Sequence, residues 1–244
     1  MSEVKIIQVT TEKQLSDFIK FPMNLYKNNQ NYVPSLIKDE KSIWNKEENP
    51  ALAYSEAKQF LAYKDDEIVG RIAVMINHKE AQELGIEKVR FGWLDFIDDE
   101  EVSKALIDTA IAYAKEKNIK KIEGPMGFTN LDKAGMLTFG FDRLATMIGI
   151  YNFNYYPKHL EKLGLVKEKD WVEFEIMFPD VLPDKVEKFS QLIAEKYQLK
   201  TLKFNSKEEI LPLVEPMFKL LDETYKNLST YTPITDEQIL HYKE

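Results

Sequence analysis

One segment, residues 151–176, constrains the fold of this chain more than any other stretch. Leu160 and Leu163 share one face of a predicted helix, and Gly164 follows where a helix ends on a left-handed residue. From Trp171 to Ile176, polar and apolar side chains alternate, which is the period of a half-buried strand. The segment therefore predicts a helix, a glycine stop and a strand in direct succession.

The composition excludes several classes of function. Hydrophobic residues make up 44% of the 244 residues, enough for one large core or two small ones. The net charge of -8 disfavours nucleic acid as a partner, because phosphate binding needs clustered lysine and arginine. There is no cysteine, which rules out disulfides, a thiolate nucleophile and a cysteine-based zinc site. The histidines lie far apart in the sequence, so no metal site is predicted.

Targeting signals are not evident in the sequence. No apolar run approaches the roughly 18 residues that a membrane span requires. The first residues lack both the basic start and the apolar core of a secretion signal. We therefore predict a cytoplasmic protein with neither a membrane nor a nucleic-acid partner.

The periodicity before residue 151 predicts an alternation of strands and helices. Thr10 or Thr11 is positioned to cap the first helix, which Pro22 is expected to kink or divide. The predicted strands are residues 4–9, a hairpin of 59–64 and 68–76 around Asp65-Asp66-Glu67, then 89–97 and 120–123. The predicted helices are 36–44 and 98–117, and a connecting helix follows at 184–197.

The last part of the chain repeats the first. The stretch that begins at Leu199 aligns with the one that begins at Val4, so that Ser206 corresponds to the cap Thr11. We interpret residues 1–180 as one domain, 181–198 as a connecting helix and 199–244 as the start of a second, incomplete copy that packs against the first. On this interpretation the chain is a fragment. A helical C-terminal extension is the alternative interpretation.

Two features of this pattern resemble the GNAT superfamily of N-acetyltransferases. One feature is a sequence motif similar to the one that ends a GNAT domain, Leu160-Glu161-Lys162-Leu163-Gly164-Leu165. The other is the order of elements over residues 4–178, which is similar to that of a GNAT domain. The resemblance implies an α/β (α+β) fold with a mixed, mostly antiparallel central sheet flanked by helices. It also implies an acyltransferase that moves an acyl group from acetyl-CoA or another acyl-CoA to an amine.

The resemblance also assigns candidate cofactor residues. GNAT enzymes thread the pantetheine arm between splayed central strands and hold the pyrophosphate at the next helix N-terminus, so Leu94, Asp95, Phe96 and the nearby Asn152 are candidates here. The expected glycines are replaced by the carboxylates of residues 98–101, which repel pyrophosphate. This departure leaves an alternative, a non-catalytic domain that binds a small ligand or acts as a scaffold and has lost acetyl-CoA.

The remaining candidates concern catalysis and substrate. In GNAT enzymes a tyrosine acts as the general acid. Its position corresponds to Leu160 here, so Tyr156, one helical turn earlier, is the candidate for this role. Glu123, at the end of its predicted strand, is the candidate base. The glycine-rich loop that follows and a nearby tyrosine pair are predicted to bind a small polar molecule or amine, unless the loop is only a structural turn. These substrate candidates are Gly124, Gly127, Phe128, Thr129, Asp132, Tyr151 and Tyr155.

Overall fold

The central sheet has five strands in the order β1-β2-β3-β4-β5. The computed structural model describes residues 3–146, 149–228 and 231–243, so the outermost limits of the predicted domains, residues 1 and 244, lie outside the described residues. All neighbouring strands are antiparallel except β4 and β5, which are parallel. This confirms the predicted mixed, mostly antiparallel sheet. The strands are β1 (Lys5–Gln8), β2 (Ser55–Lys64), β3 (Glu67–Asn77), β4 (Val89–Phe96) and β5 (Ile122–Glu123).

The β2–β3 hairpin is the longest strand pair in the sheet and confirms the predicted hairpin. Its turn consists of Asp65 and Asp66, which have φ values of 51° and 64°. Two consecutive left-handed residues are typical of a turn that follows the twist of the flanking strands, and aspartate tolerates this conformation better than most side chains.

Helices cover both faces of the sheet and form most of the C-terminal part. The helices are α1 (Glu12–Leu25), α2 (Ile37–Ile43), α3 (His78–Leu84), α4 (Glu100–Glu116), α5 (Tyr155–Lys162), α6 (Asp184–Tyr197), α7 (Lys207–Tyr225) and α8 (Asp236–Lys243), with a 3₁₀ turn at Pro50–Ala53. Gly164 follows α5 with a φ of 88°, as the sequence predicts. None of the helices in the described ranges is both long and apolar enough to cross a membrane.

Pro22 does not divide α1, which was one of the two predicted outcomes. A proline inside a helix leaves the carbonyl four residues earlier without its usual N–H donor. Here that carbonyl belongs to Phe18, and it accepts a hydrogen bond of 2.8 Å from Arg71 Nη1 on β3. The helix continues because the next turn is intact, with Tyr26 N–H donating to Pro22 O over 2.9 Å.

The sheet separates two hydrophobic cores. On one face, α4 and α5 pack on the sheet through residues such as Leu106 and Leu160. On the other face, Phe18 and Ile19 of α1 pack with Phe128. A third, smaller cluster joins α7 and α8 through Val214, Phe218, Ile234 and Ile239. The two large cores fix the position of β4, which lies between them.

The strand predicted at residues 171–176 is not formed. Its apolar side chains are exposed, with Phe174 at 79% and Ile176 at 71%. A strand needs a neighbour for its backbone hydrogen bonds. The edge strand at the β4 side of the sheet is β5, which is very short and is followed closely by Pro125, a residue with no N–H. The prediction was wrong because alternation identifies a strand-compatible segment and not its partner.

The opening strand of the predicted second copy is also absent, since residues 199–204 have no regular structure. The helix that follows begins at a corresponding position, although Ser206 makes no side-chain cap bond of the kind that Thr11 makes. α7 begins at Lys207 after Ser206, as α1 begins at Glu12 after Thr11. In the first copy, β1 is held by β2, and the described residues supply no such partner for 199–204.

Candidate functional site

The edge of β4 is the most unusual feature of the sheet. β5 pairs with β4 only at Val89↔Ile122 and Arg90↔Glu123. One further bond of 2.8 Å joins Met126 N–H to Phe91 O. The rest of β4 extends past the end of β5, so this part of the strand has an edge that β5 does not cover.

A bulge interrupts the same part of β4. Gly92 lies opposite Ala73 and Asp95 lies opposite Arg71, which leaves more residues on β4 than on β3. Trp93, within the bulge, has a φ of 45°, a strained value for a bulky side chain. The strand order, the α4 connection between β4 and β5, and the end of β5 short of the last part of β4 agree with the splayed centre that the resemblance implies. The chain has a GNAT-like fold.

Two tyrosines of α5 occupy the open edge of β4. Ile97 N–H bonds to Val69 O on β3, so the backbone of Phe96 points to the opposite side. There Phe96 N–H donates to Tyr156 Oη over 2.9 Å, and Tyr155 Oη donates to Phe96 O over 2.5 Å. In a GNAT-like fold this edge faces the pantetheine arm. The structure thus brings together the predicted residues Phe96, Tyr155 and Tyr156.

A buried polar network extends from this edge. The hydroxyl oxygens of Tyr156 and Tyr26 lie 2.7 Å apart, and Tyr26 donates to Asp95 Oδ1 over 2.9 Å. Arg71 Nε pairs with Asp95 Oδ2 at 2.8 Å. Burial, followed by the charge of Asp95, raises the pKa of Tyr26 and of Tyr156 well above the usual value. Both phenols are therefore protonated at neutral pH. Leu94, the other cofactor candidate on β4, is buried beside them.

The N-terminus of α4 is capped by its own chain. Asp99 Oδ1 accepts a 2.8 Å bond from Glu101 N–H, and Lys64 Nζ contacts Asp99 at 2.8 Å and Glu101 at 3.0 Å. The bond from Lys64 lowers the pKa of Asp99. Asp98 pairs with His159 at 3.0 Å. A pyrophosphate at this helix end would have to displace the Asp99 side chain, so the phosphate grip implied by the resemblance is not present in its usual form.

An open groove lies at the same end of the sheet. It has a volume of about 810 Å³ and runs between α1 and the β2–β3 turn. Its apolar wall includes Phe21, Ile68 and Ile97, the last of which directly follows β4, and lysines and carboxylates of α1 and the turn line the remainder. This volume falls in the range of small-molecule sites.

The glycine-rich loop is held by bonds within itself. Asp132 Oδ2 accepts from Thr129 N–H over 2.8 Å, and a Cβ on Gly127 would lie 2.3 Å from Asp132 Cβ. Burial raises the pKa of Asp132. Phe128 packs against the Trp44 and Trp93 rings, with centroids 5.6 and 6.1 Å away. Phe128 thus connects the loop to the bulge, whereas Asp132 faces a cavity of about 120 Å³ beneath α8.

Tyr151 and Asn152 secure the end of the same loop. Tyr151 Oη donates to Phe141 O over 3.0 Å. Asn152 Oδ1 accepts from Leu137 N–H over 2.6 Å, and its Nδ2 donates to Leu137 O over 3.1 Å. Both polar groups are committed to the loop backbone, which is a structural role.

Glu123 lies apart from the tyrosines. It pairs with Lys121 at 2.7 Å and with Lys88 at 3.2 Å. Burial by itself raises its pKa, but these two lysines outweigh burial and leave the pKa below the usual value. Glu123 is level with Arg90, about 20 Å along β4 from Phe96 at roughly 3.3 Å per residue. The structure therefore does not bring Glu123 and Tyr156 to one substrate. Gly124 follows Glu123 and packs against Phe91.

Sequence reasoning missed the residues on the α1–α2 side of the bulge. Trp93 Nε1 donates to Glu40 Oε2 over 2.9 Å, and Tyr32 packs on Tyr26 with centroids 4.6 Å apart. Burial and then the charge of Asp95 raise the pKa of Tyr32 to about 12, with Glu40 adding to the effect. The sequence does contain one signal of this site. Arg71 and Asp95 are charged residues inside strands whose apolar pattern indicates burial.

The sequence has relatives among known proteins. It is 31% identical over 159 residues to Protein YghO of Escherichia coli, covering 65% of this chain and 40% of that protein. It is 25% identical over 170 residues to a bacterial ceramide synthase of Caulobacter vibrioides, covering 69% of this chain and 44% of that protein. The chain thus spans less than half the length of these relatives. No family model matches the sequence.

Several acetyltransferases are among the solved structures with a related arrangement. One is a predicted acetyltransferase from Clostridium acetobutylicum, solved with acetyl-CoA. The match covers 70% of this chain and 96% of that structure, with a TM-score of 0.42 and 13% identity. An aminoglycoside acetyltransferase from an uncultured soil sample, solved with sisomicin, covers 72% and 97%, with a TM-score of 0.42 and 13% identity. The GNAT-like fold is evident from the strand order and the β4–β5 divergence of the chain itself.

Proposed function

We propose that the protein is a GNAT-type N-acyltransferase that moves an acyl group from an acyl-CoA to an amine. The observation that carries this proposal is the edge of β4 beyond Gly92, which β5 does not cover and where the strand bulges at Trp93. In the reaction, the amine nitrogen bonds to the thioester carbon and the carbon–sulfur bond breaks. The sulfur leaves as the CoA thiol with the proton that the nitrogen loses.

The acceptor that we propose is a long-chain amine. One relative is named a ceramide synthase, and a ceramide is the amide of a long-chain amino alcohol. The groove of about 810 Å³ beside Ile97 supports this proposal, because its apolar wall adjoins the end of β4.

We assign the acid role to Tyr155 and a positioning role to Tyr156. The Tyr155 hydroxyl donates a single bond, to Phe96 O, and in the proposed step it exchanges that bond for one to the departing thiolate, to which its proton passes. Tyr155 is half-buried, whereas Tyr156 is only 2% exposed and its hydroxyl is already bonded to Phe96 and Tyr26. Glu123 is a weak candidate for the base because two lysines hold its charge.

We also propose that a second GNAT-like unit begins at residue 199. The equivalent starts of α1 and α7, each after a hydroxyl residue, support this division. The first unit is then packed against the second through a 3.2 Å bond from Arg90 Nη2 to Thr232 Oγ1. A CoA donor and a chain without cysteine fit a cytoplasmic location.

The direct test is an acyl-transfer assay. The protein is incubated with acetyl-CoA or palmitoyl-CoA and with either ethanolamine or sphinganine, and free thiol and the amide product are both measured. We expect amide formation with sphinganine, at a lower rate in Tyr155→Phe than in the wild type. Thiol release without amide would indicate hydrolysis, and no release with any pair would overturn the proposed function.

A further inference from the structure

The Glu40 side chain occupies a defined position against the β4 bulge. Its Oε2 accepts a 2.9 Å hydrogen bond from Trp93 Nε1, the indole of the strained bulge residue. Glu40 lies one helical turn before Trp44, so both side chains leave the same face of α2. The Trp44 and Trp93 rings are 4.7 Å apart. The carboxylate is thus placed beside an aromatic pair.

Among the residues that the structure describes, none forms an ion pair with Glu40, which distinguishes it from the other carboxylates around β4. Asp95 is paired with Arg71, Glu80 with Lys88 and Arg90, and Glu123 with two lysines. Within the described ranges, the polar contact that Glu40 makes through its side chain is to a neutral indole, and no ion pair is formed. A half-buried carboxylate without a counter-charge is costly unless a cation neutralises it.

The surroundings of Glu40 suit an organic cation. Tyr32, Trp44 and Trp93 are all half-buried, so part of each residue remains accessible from solvent. Aromatic faces attract ammonium groups, and a carboxylate supplies the charged hydrogen-bond acceptor.

From these observations we propose that Glu40, Trp44 and Trp93 form a binding site for a primary ammonium group. That this group is the headgroup of the acyl acceptor rests on the proposed function. The position fits that role, because the β4 edge that faces the acyl donor begins at the same bulge. Glu40 then holds the nitrogen through its charge and takes the first proton as the nitrogen becomes a nucleophile.

The test is a fluorescence titration of the whole chain. Trp44 and Trp93 are two of its three tryptophans, and Trp171→Phe removes the third. In that background, octylamine is expected to change the emission in a saturable way, whereas octanol, which has the same chain and no charge, is not. Glu40→Gln should weaken octylamine binding about tenfold or more, as expected for loss of a charge-assisted hydrogen bond.

The matched control is Asp39→Asn, which removes one carboxylate from the exposed face of the same helix. It should leave octylamine binding unchanged, and circular dichroism should show the same fold in both variants. Equal binding by Glu40→Gln and wild type, or no octylamine binding by the wild type, would overturn the inference. Octylamine binding without acyl transfer would count against the proposed function alone. Unaltered acyl transfer by Glu40→Gln would count against the ammonium site alone.

Discussion

At the scale of the residue, the two tyrosines of α5 are chemically alike and structurally different. Tyr156 is buried and accepts the Phe96 N–H, whereas Tyr155 is half-buried and donates to the Phe96 carbonyl. Tyr156→Phe leaves a buried N–H without an acceptor and should reduce the free energy of unfolding by about 1–3 kcal/mol.

The matched variant is Tyr155→Phe, in which water is able to replace the lost hydroxyl at the carbonyl. We expect a smaller loss of stability, together with the larger loss of acyl transfer. Urea unfolding followed by circular dichroism compares the two. Equal stability losses would contradict the distinction between a positioning and a reacting tyrosine.

Asp132 gives a pH-dependent prediction at the same scale. Burial raises its pKa above the usual 3.8, despite the bonds from Thr129 and the charge of Arg90. A raised pKa in the folded state means that folding favours the protonated form, so this stability is present below pH 3.8 and is lost as the pH rises through the folded-state pKa.

Asp132→Asn cannot titrate and serves as the reference. The stability of the wild type relative to this variant should therefore decrease between pH 3 and pH 7, as measured by urea unfolding across that range. A constant difference would show that the carboxyl does not titrate abnormally.

At the scale of the element, α1 shows which features a sequence reveals. Its start is a local signal, because Thr11 accepts from Gln14 N–H and the Gln14 side chain accepts from Thr11 N–H. Thr11→Ala should cost about 1 kcal/mol of stability by thermal or urea unfolding. An unchanged midpoint would mean that α1 is held by its packing alone.

Signals that depend on distant residues were not readable in the same way. Pro22 is tolerated because Arg71, far along the chain, satisfies the freed carbonyl of Phe18. The alternation at residues 171–176 is genuine, but no described strand lies beside it. The hairpin, the helix caps and Gly164 were predictable because their causes lie within a few residues.

The candidate site was predictable only in part, for the same reason. The cofactor candidates Asp95 and Phe96 and the tyrosines of α5 meet at one edge. The hydrogen bond from Trp93 to Glu40 joins elements that are distant in sequence. The left-handed backbone of Trp93 at the bulge is likewise not indicated by any local sequence pattern. Glu123 seemed suitable as a strand-end carboxylate, but Lys121, two residues earlier, and Lys88, just before β4, both pair with it.

At the scale of the whole molecule, the first unit has the GNAT-like architecture. The Asp99 side chain, however, caps the N-terminus of α4, where the resemblance places the pyrophosphate. If the protein is the acyltransferase proposed above, the acyl donor is held by other parts of the β4 edge. We propose that an acyl-CoA binds there.

Isothermal titration of the protein with acetyl-CoA tests that claim most directly. We predict saturable binding, and because the donor is placed away from the N-terminus of α4, Asp99→Asn should leave its affinity and stoichiometry unchanged. Absence of any heat of binding with acetyl-CoA and with palmitoyl-CoA would contradict the claim.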